Sequence, residues 1–154
     1  MAKKKSDQKQ FKNRQAFFEY EILEKFEAGI VLVGSEVKSI RQGEINFADS
    51  HVQIVNLEAF LVACHILEYK NAKTFGHEPT RRRKLLLRRR EILKIEKKVQ
   101  AKGLTIVPLR LYFNARGFVK VEIGVGRGKQ RHDKRKAIKE RDTQRDMQRE
   151  MSKF

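Results

Sequence analysis

The sequence predicts a mainly β fold, a small closed or nearly closed antiparallel barrel with short helices and a basic C-terminal tail. Three observations carry that expectation. Several short runs either alternate apolar and polar residues or are apolar throughout; turn residues punctuate them at close intervals; and just two stretches inside residues 13–126 have helical periodicity.

The first twelve residues hold Lys3, Lys4, Lys5, Lys9 and Lys12 with almost nothing apolar, so 1–12 reads as a flexible arm that cannot offset the entropy of ordering. From Ala16 onward, Phe18, Tyr20 and Ile22 alternate with Glu19 and Glu21, the period of a half-buried strand. Glu24 to Ala28 then reads as a polar turn, and Gly29 to Val33 as a second, β-branched strand. Two turns of helix fit between Ser35 and Gly43. Ser35 can accept from orphan N–H groups, Glu36 suits the positive helix end, and Gly43 can take the left-handed terminating conformation.

Val52 and Ile54 alternate with His51 and Gln53, Asn56-Leu57-Glu58 can turn, and Ala59 to Ile66 is an apolar run, which together make a hairpin. Glu68 to Thr80 has no period and reads as a surface loop. Leu86, Ile92, Leu93, Ile95 and Val99 fall near helical spacing before Gly103, so a helix is predicted over most of Lys84 to Lys102, its start blurred by Leu85-Leu86-Leu87. Thr105 to Phe113 and Phe118 to Val125 flank the turn Asn114-Ala115-Arg116-Gly117, a hairpin in which Pro108 marks an edge or a bulge. Beyond residue 126 the chain is almost wholly polar. The domain plan is therefore an arm 1–12, a folded domain 13–126 and a tail 127–154, and the nearest common architecture for the domain is an oligonucleotide-binding-like β-barrel.

Thirty-six Lys and Arg stand against 19 Asp and Glu in 154 residues, a net charge of +17, so the partner is expected to be a polyanion. An apolar fraction of 40%, with ten Phe and three Tyr, is too high for a disordered basic polymer and implies a core beneath the charge. The single cysteine, Cys64, excludes an internal disulfide, and the start MAKKKSDQKQFK has no apolar stretch after its lysines; a soluble cytoplasmic protein with no membrane contact is expected.

His51, His65, His77, His132 and Cys64 never fall at paired ligand spacing, so no metal or cofactor is expected. Cys64 lies in an apolar run and reads as packed. Gly124, Gly126 and Gly128 have the wrong spacing for a phosphate-binding loop and read as a hinge into the tail. No nucleophile stands with a base and an orienting group, so the chain is read as a binding protein and not an enzyme.

Basic clusters are the stronger signal. Arg81, Arg82, Arg83, Lys84, Arg88, Arg89 and Arg90 place seven cations in ten residues with only Glu91 near to relieve them, a density that points to phosphate contact. In the tail, 127–154 holds eleven basic and five acidic residues, and Lys136 with Glu140, Asp142 with Arg145, and Asp146 with Arg149 sit at helical spacing. Lacking a core-forming stripe, this tail is expected to be disordered alone and helical from about Arg131 to Glu150 against a polyanion.

In order along the chain stand Asn13-Arg14-Gln15-Ala16, Glu27-Ala28-Gly29-Ile30, Gly34-Ser35-Glu36-Val37-Lys38-Ser39 and Asp49-Ser50. Then follow Pro79-Thr80-Arg81, Arg83-Lys84-Leu85-Leu86-Leu87, Gly103 to Leu109, Gly124-Val125, Gly128-Lys129 and His132-Asp133-Lys134-Arg135. This ordered set closely resembles the SsrA-binding protein family, also called small protein B, over essentially all of 13–142. The resemblance implies a barrel that grips the tRNA-like portion of tmRNA (SsrA RNA), especially its D-loop region, and delivers it to stalled ribosomes for trans-translation. It implies RNA-binding roles for Asn13, Arg14, Glu27, Lys38, Arg81, Arg83, Lys84, Leu86 and Lys120. It also implies that the tail enters the empty mRNA path and decoding centre of the small subunit as a helix, with His132, Asp133, Lys134, Arg135, Lys136, Lys139 and Arg141 acting there. Elongation factor Tu would share the delivery complex. The competing reading is an oligonucleotide-binding-like ribosomal or translation-factor protein that binds rRNA statically; a third, a basic nuclease, predicts RNA turnover.

Overall fold

The computed structural model describes residues 9–68, 76–129 and 131–151, apart from the side chains at 131–134, 136, 137, 150 and 151. Nine strands and four helices follow in order: β1 (Gln10–Lys12), α1 (Arg14–Glu19), β2 (Tyr20–Ile30), α2 (Gly34–Arg41), β3 (Ile45–Asn46), β4 (His51–Val55), β5 (Glu58–Val62), β6 (His65–Ile66), β7 (Arg83–Leu86), α3 (Arg89–Lys102), β8 (Thr105–Phe113), β9 (Val119–Gly128) and α4 (Arg131–Met151). Seven strands form one antiparallel sheet in the order β1-β8-β9-β2-β7-β5-β4, and β3 pairs with β6 separately. The sheet is not closed: its end strands β1 and β4 share no ladder. It curls until β4 lies against β8, and Val99 of α3 lines the groove along that seam with Val52, Ile54 and Leu104.

Alternation explains the core. Val119, Val121, Ile123 and Val125 of β9 point inward, facing Leu111, Phe113 and Ile106 of β8 and Ala28 of β2. Period-2 burial of this kind stabilises the fold by about 1.5–3 kcal/mol for each large apolar side chain taken out of water. The register shifts between Pro108 and Arg110, the bulge that Pro108 announced, and again between Ile22 and Glu24 on the other side of β9. These shifts turn Ile22 and Leu109 to the outer face, where they pack with Ala16, Phe17, Tyr20 and Val107 in a second, smaller cluster beneath α1. Gly124 is what lets them approach, since a Cβ there would stand 2.8 Å from Leu109 Cδ1.

Several expectations are corrected. Glu24 to Ala28 is no turn. Residues 20–30 form one strand in which Lys25 and Glu27 point out while Phe26 and Ala28 point in, and the segment before Tyr20 is helix α1 rather than strand. Of the arm, residues 1–8 lie outside the described residues, but Gln10–Lys12 pair with Lys12↔Arg110 and Gln10↔Tyr112 at the sheet edge. The leucine triplet does not start a helix. Arg83 and Leu85 are buried while Lys84 and Leu86 are exposed, and pairing with β2 and β5 overrides helix propensity until Arg89. Ala59 to Ile66 breaks at Ala63, whose φ is 60°, so His65–Ile66 turn away to meet Ile45–Asn46. Of the expected loop, 69–75 lies outside the described residues, while His77 is buried.

The helices end as their sequences require. Gly43 and Gly103 adopt φ of 79° and 62°, the left-handed caps after α2 and α3. Ile92 and Ile95 form the buried face of α3. The tail helix spans 21 residues, about 30 Å at 1.5 Å per residue, and its described side chains are exposed. It meets the domain at α1, where the Arg141 guanidinium lies 5.5 Å from the Phe18 ring centre, and Lys129 N donates to Glu19 O at 2.8 Å just before it.

Candidate nucleic-acid interface

Among the described residues, α1 packs over the outer face of the sheet near Gly124, and beyond that cluster Leu86 and Val31 are exposed. Register fixes what stands there. Tyr112 pairs with Lys120, Lys120 with Gly29, and Gly29 with Leu86, so these four make one outward row across β8, β9, β2 and β7. Leu86 lies over Gly29, where an added Cβ would come within 3.2 Å of Leu86 Cβ, and it remains 55% exposed. Next to it Val31 N donates to Lys84 O at 2.9 Å, Lys84 pairs with Phe60, and the Arg82 guanidinium sits 4.2 Å over the Phe60 ring. On the other side runs Arg110, Glu122 and Glu27.

Cations and apolar surfaces thus alternate on an exposed sheet: Lys120 beside Leu86, Lys84 between Val31 and Phe60, Arg82 on Phe60. Phosphates would find the cations and unstacked bases the flat apolar groups, which is what binding of looped RNA requires. A solvated charge layer has no need of exposed Leu86 and Val31 among its lysines.

Glu27 and Glu122 stand opposite each other, and like charges at a direct cross-strand pair repel. Arg110 Nε bonds Glu122 at 3.0 Å and Lys25 approaches it at 3.9 Å, whereas the carboxylate of Glu27 accepts the Tyr112 hydroxyl. Burial, and then the hydrogen bond to Glu27, push the Tyr112 phenol up to about 12, so it stays a donor at neutral pH.

Beneath this face lies a buried polar frame. Arg83 Nε bonds Glu36, with neither side chain exposed, while Arg83 also donates to Cys64 O at 2.8 Å and Pro79 O at 3.1 Å. Glu36 accepts from Arg81 at 2.5 Å and from Val33 N at 2.9 Å, closing the first turn of α2. Burial alone would raise the Glu36 carboxyl, but bonds from Arg81, Val33 and Arg83 outweigh it and hold the carboxyl below its ordinary range. Ser35, expected as the cap, pairs instead with His77 Nδ1 at 2.9 Å. His77 Nε2 lies 2.9 Å from Ile66 O and donates there, which in the neutral ring leaves Nδ1 to accept the Ser35 hydroxyl. Cys64 is packed, its thiol pushed up to about 11 by burial.

The expected positions therefore divide. Glu27, Lys84, Leu86 and Lys120 come together on the outer face, with Arg81 reaching Val31 O at 3.4 Å behind them. Arg83 is turned inward because the alternation of β7 places it under Lys84. Asn13 is buried as well: its side chain donates to Pro108 O at 2.8 Å and accepts from Ala16 N, capping α1. The polar atoms of both have partners inside the fold. Arg14 is exposed at the start of α1 and Lys38 is exposed on α2. In the tail, Arg135, Lys139 and Arg141 are exposed, while the side chains of His132, Asp133, Lys134 and Lys136 lie outside the described residues. Sequence reasoning did not find Tyr112, Phe60 or Glu36. The alternation of Arg110 and Tyr112 against buried Leu109 and Leu111 was the available signal for the first.

Among the described residues no three His, Cys, Asp or Glu side chains gather as metal ligands, and no helix is long and apolar enough to cross a membrane.

The chain is similar to known proteins. An SsrA-binding protein of Sulfurihydrogenibium sp. (strain YO3AOP1) is 57% identical over 136 residues, covering 88% of this chain and 89% of its own length. One from Acaryochloris marina (strain MBIC 11017) is 54% identical over 142 residues, covering 92% of each. A solved chain described as "tmRNA-SmpB: a journey to the center of the bacterial ribosome" superposes with a TM-score of 0.68 at 43% identity, covering 84% of this chain and 94% of that one. The family model described as SmpB protein matches residues 10–153, and the chain belongs to that family.

Proposed function

We infer that the protein binds tmRNA and delivers it to stalled ribosomes in trans-translation. The observation that carries the reading is the outer sheet face, where Glu27, Lys84, Leu86 and Lys120 meet in a chain more than half identical to SsrA-binding proteins. A solved relative described with tmRNA at the bacterial ribosome supports the destination. Binding, not turnover, is the activity assigned, and the cytoplasm is its place.

The finer division is ours as well. The open face grips the tRNA-like domain, with Arg81 and Arg14 contributing charge from its margins. The α4 helix carries Arg135, Lys139 and Arg141 into the empty mRNA path, with His132, Asp133, Lys134 and Lys136 at the decoding centre. Elongation factor Tu joins the same complex on the aminoacylated RNA. A helix about 30 Å long, exposed along its described side chains, suits a narrow polyanionic channel better than a protein core. The test is recovery of the tagged protein from cells with sequencing of its RNA. A single dominant small stable RNA is expected; recovery of ribosomal RNA alone would favour a static ribosomal component.

A further inference from the structure

We infer that Tyr112 is a positioning residue for Glu27, holding one carboxylate oxygen so that the other is presented to a hydrogen-bond donor on a nucleobase edge. The inference rests on the reading that the outer sheet face binds tmRNA.

The distribution of partners carries it. With 36 basic residues in the chain, an exposed carboxylate is easily ion-paired. Directly across the β2–β9 ladder, Glu122 takes Arg110 and Lys25. Glu27 forms no salt bridge among the described residues and is held by a neutral hydroxyl. A phenol occupies one of the roughly four acceptor positions of a carboxylate and leaves its charge in place. Among the described residues, Glu27 Oε1 is thus left without an ion-pair partner on a basic face.

Such a group repels phosphate, which has no proton to give, and selects donors: the amino or imino N–H of a base, or a ribose hydroxyl. Its direction then determines what is read. Tyr112 supplies that direction because it is itself fixed. Its backbone pairs with Lys120, and its ring lies 4.4 Å under the Arg110 guanidinium, whose own arms bond Glu122 and Gln10 at 3.0 Å each. Lys120, in the same row, would take the phosphate flanking the base.

The test is a double-mutant cycle in the full chain, measuring affinity for the isolated tRNA-like domain of tmRNA and for a poly(U) strand. Tyr112→Phe should weaken the first by about tenfold, the worth of a hydrogen bond to a charged group, and leave the second unchanged. In the Glu27→Ala background, Tyr112→Phe should cause no further loss, and its melting temperature should match that of Glu27→Ala alone. Unchanged binding by Tyr112→Phe overturns the inference. So does an equal loss in both backgrounds, which would mean that Tyr112 touches RNA itself or only supports the fold. If the wild-type chain fails to prefer the tRNA-like domain over poly(U), the functional reading fails first and the inference with it.

Discussion

Arg83 and Glu36 form an ion pair with no exposure of either side chain, and among the described residues every other Lys and Arg is at least partly exposed. Removing one partner strands a buried charge, which costs about 3–5 kcal/mol. Glu36→Ala and Arg83→Ala should each lower the unfolding free energy by that amount in urea. A loss below about 1 kcal/mol, the scale of an exposed pair, would mean that the pair opens to water.

The same carboxyl gives an acid dependence. Its folded pKa lies below the unfolded value of about 4.3, so its contribution is complete above that value and fades as pH falls through the folded pKa. Stability curves of the wild type and Glu36→Gln should therefore converge below about pH 4. Curves that stay parallel to lower pH would contradict the assignment.

Tyr112 gives the opposite sign. With its phenol raised to about 12, its hydrogen bond to Glu27 contributes fully below the unfolded pKa of about 10 and is lost as pH rises toward the folded value. The stability difference between wild type and Tyr112→Phe should vanish across that alkaline window, monitored by denaturant titration with phenolate absorbance alongside.

Neighbours in β7 separate fold from binding. Leu85 is 1% exposed and Leu86 55%. Leu85→Ala should cost about 2–5 kcal/mol of stability. Leu86→Ala should change stability by less than about 0.5 kcal/mol, yet measurably weaken RNA binding by removing the apolar surface on which a base packs. Equal effects on both properties would merge the two roles.

Gly126 tests the bulged pairing of β2 and β9. A Cβ there would run into the backbone oxygen of Glu21, whereas at Gly124 it meets the flexible end of Leu109. Gly126→Ala should therefore destabilise more than Gly124→Ala, in a range of about 1–3 kcal/mol for overpacking.

These contrasts mark what the sequence could reveal. The β8–β9 hairpin was legible because Leu109 to Phe113 and Val119 to Ile123 alternate apolar with polar or aromatic residues and the turn holds Gly117 at a φ of 81°. The C-terminal caps of α2 and α3 were legible from Gly43 and Gly103. Strand β2 was not, because Lys25 and Glu27 on its wet side imitate a turn when the partner strand is unknown. Leu85-Leu86-Leu87 has no period of its own, so only pairing with β2 and β5 decides that Leu85 is core and Leu86 surface. The resemblance named Glu27, Lys84, Leu86 and Lys120, and cross-strand register brings them together. The burial of Arg83 and Asn13 could not be read from the sequence, since a buried charge or amide is justified only by partners distant in sequence: Glu36 is 47 positions from Arg83, and Pro108 is 95 from Asn13.

The central claim is that the charge is divided between two separable devices, an open sheet face for tmRNA and a tail helix for the ribosome. Deleting residues 131–154 tests it most directly, with tmRNA affinity and peptide tagging on stalled ribosomes measured on the same truncated protein. The account predicts unchanged tmRNA affinity and no tagging. Loss of tmRNA binding on truncation would contradict it, and would place the contact of Arg141 with Phe18 within the RNA-binding surface.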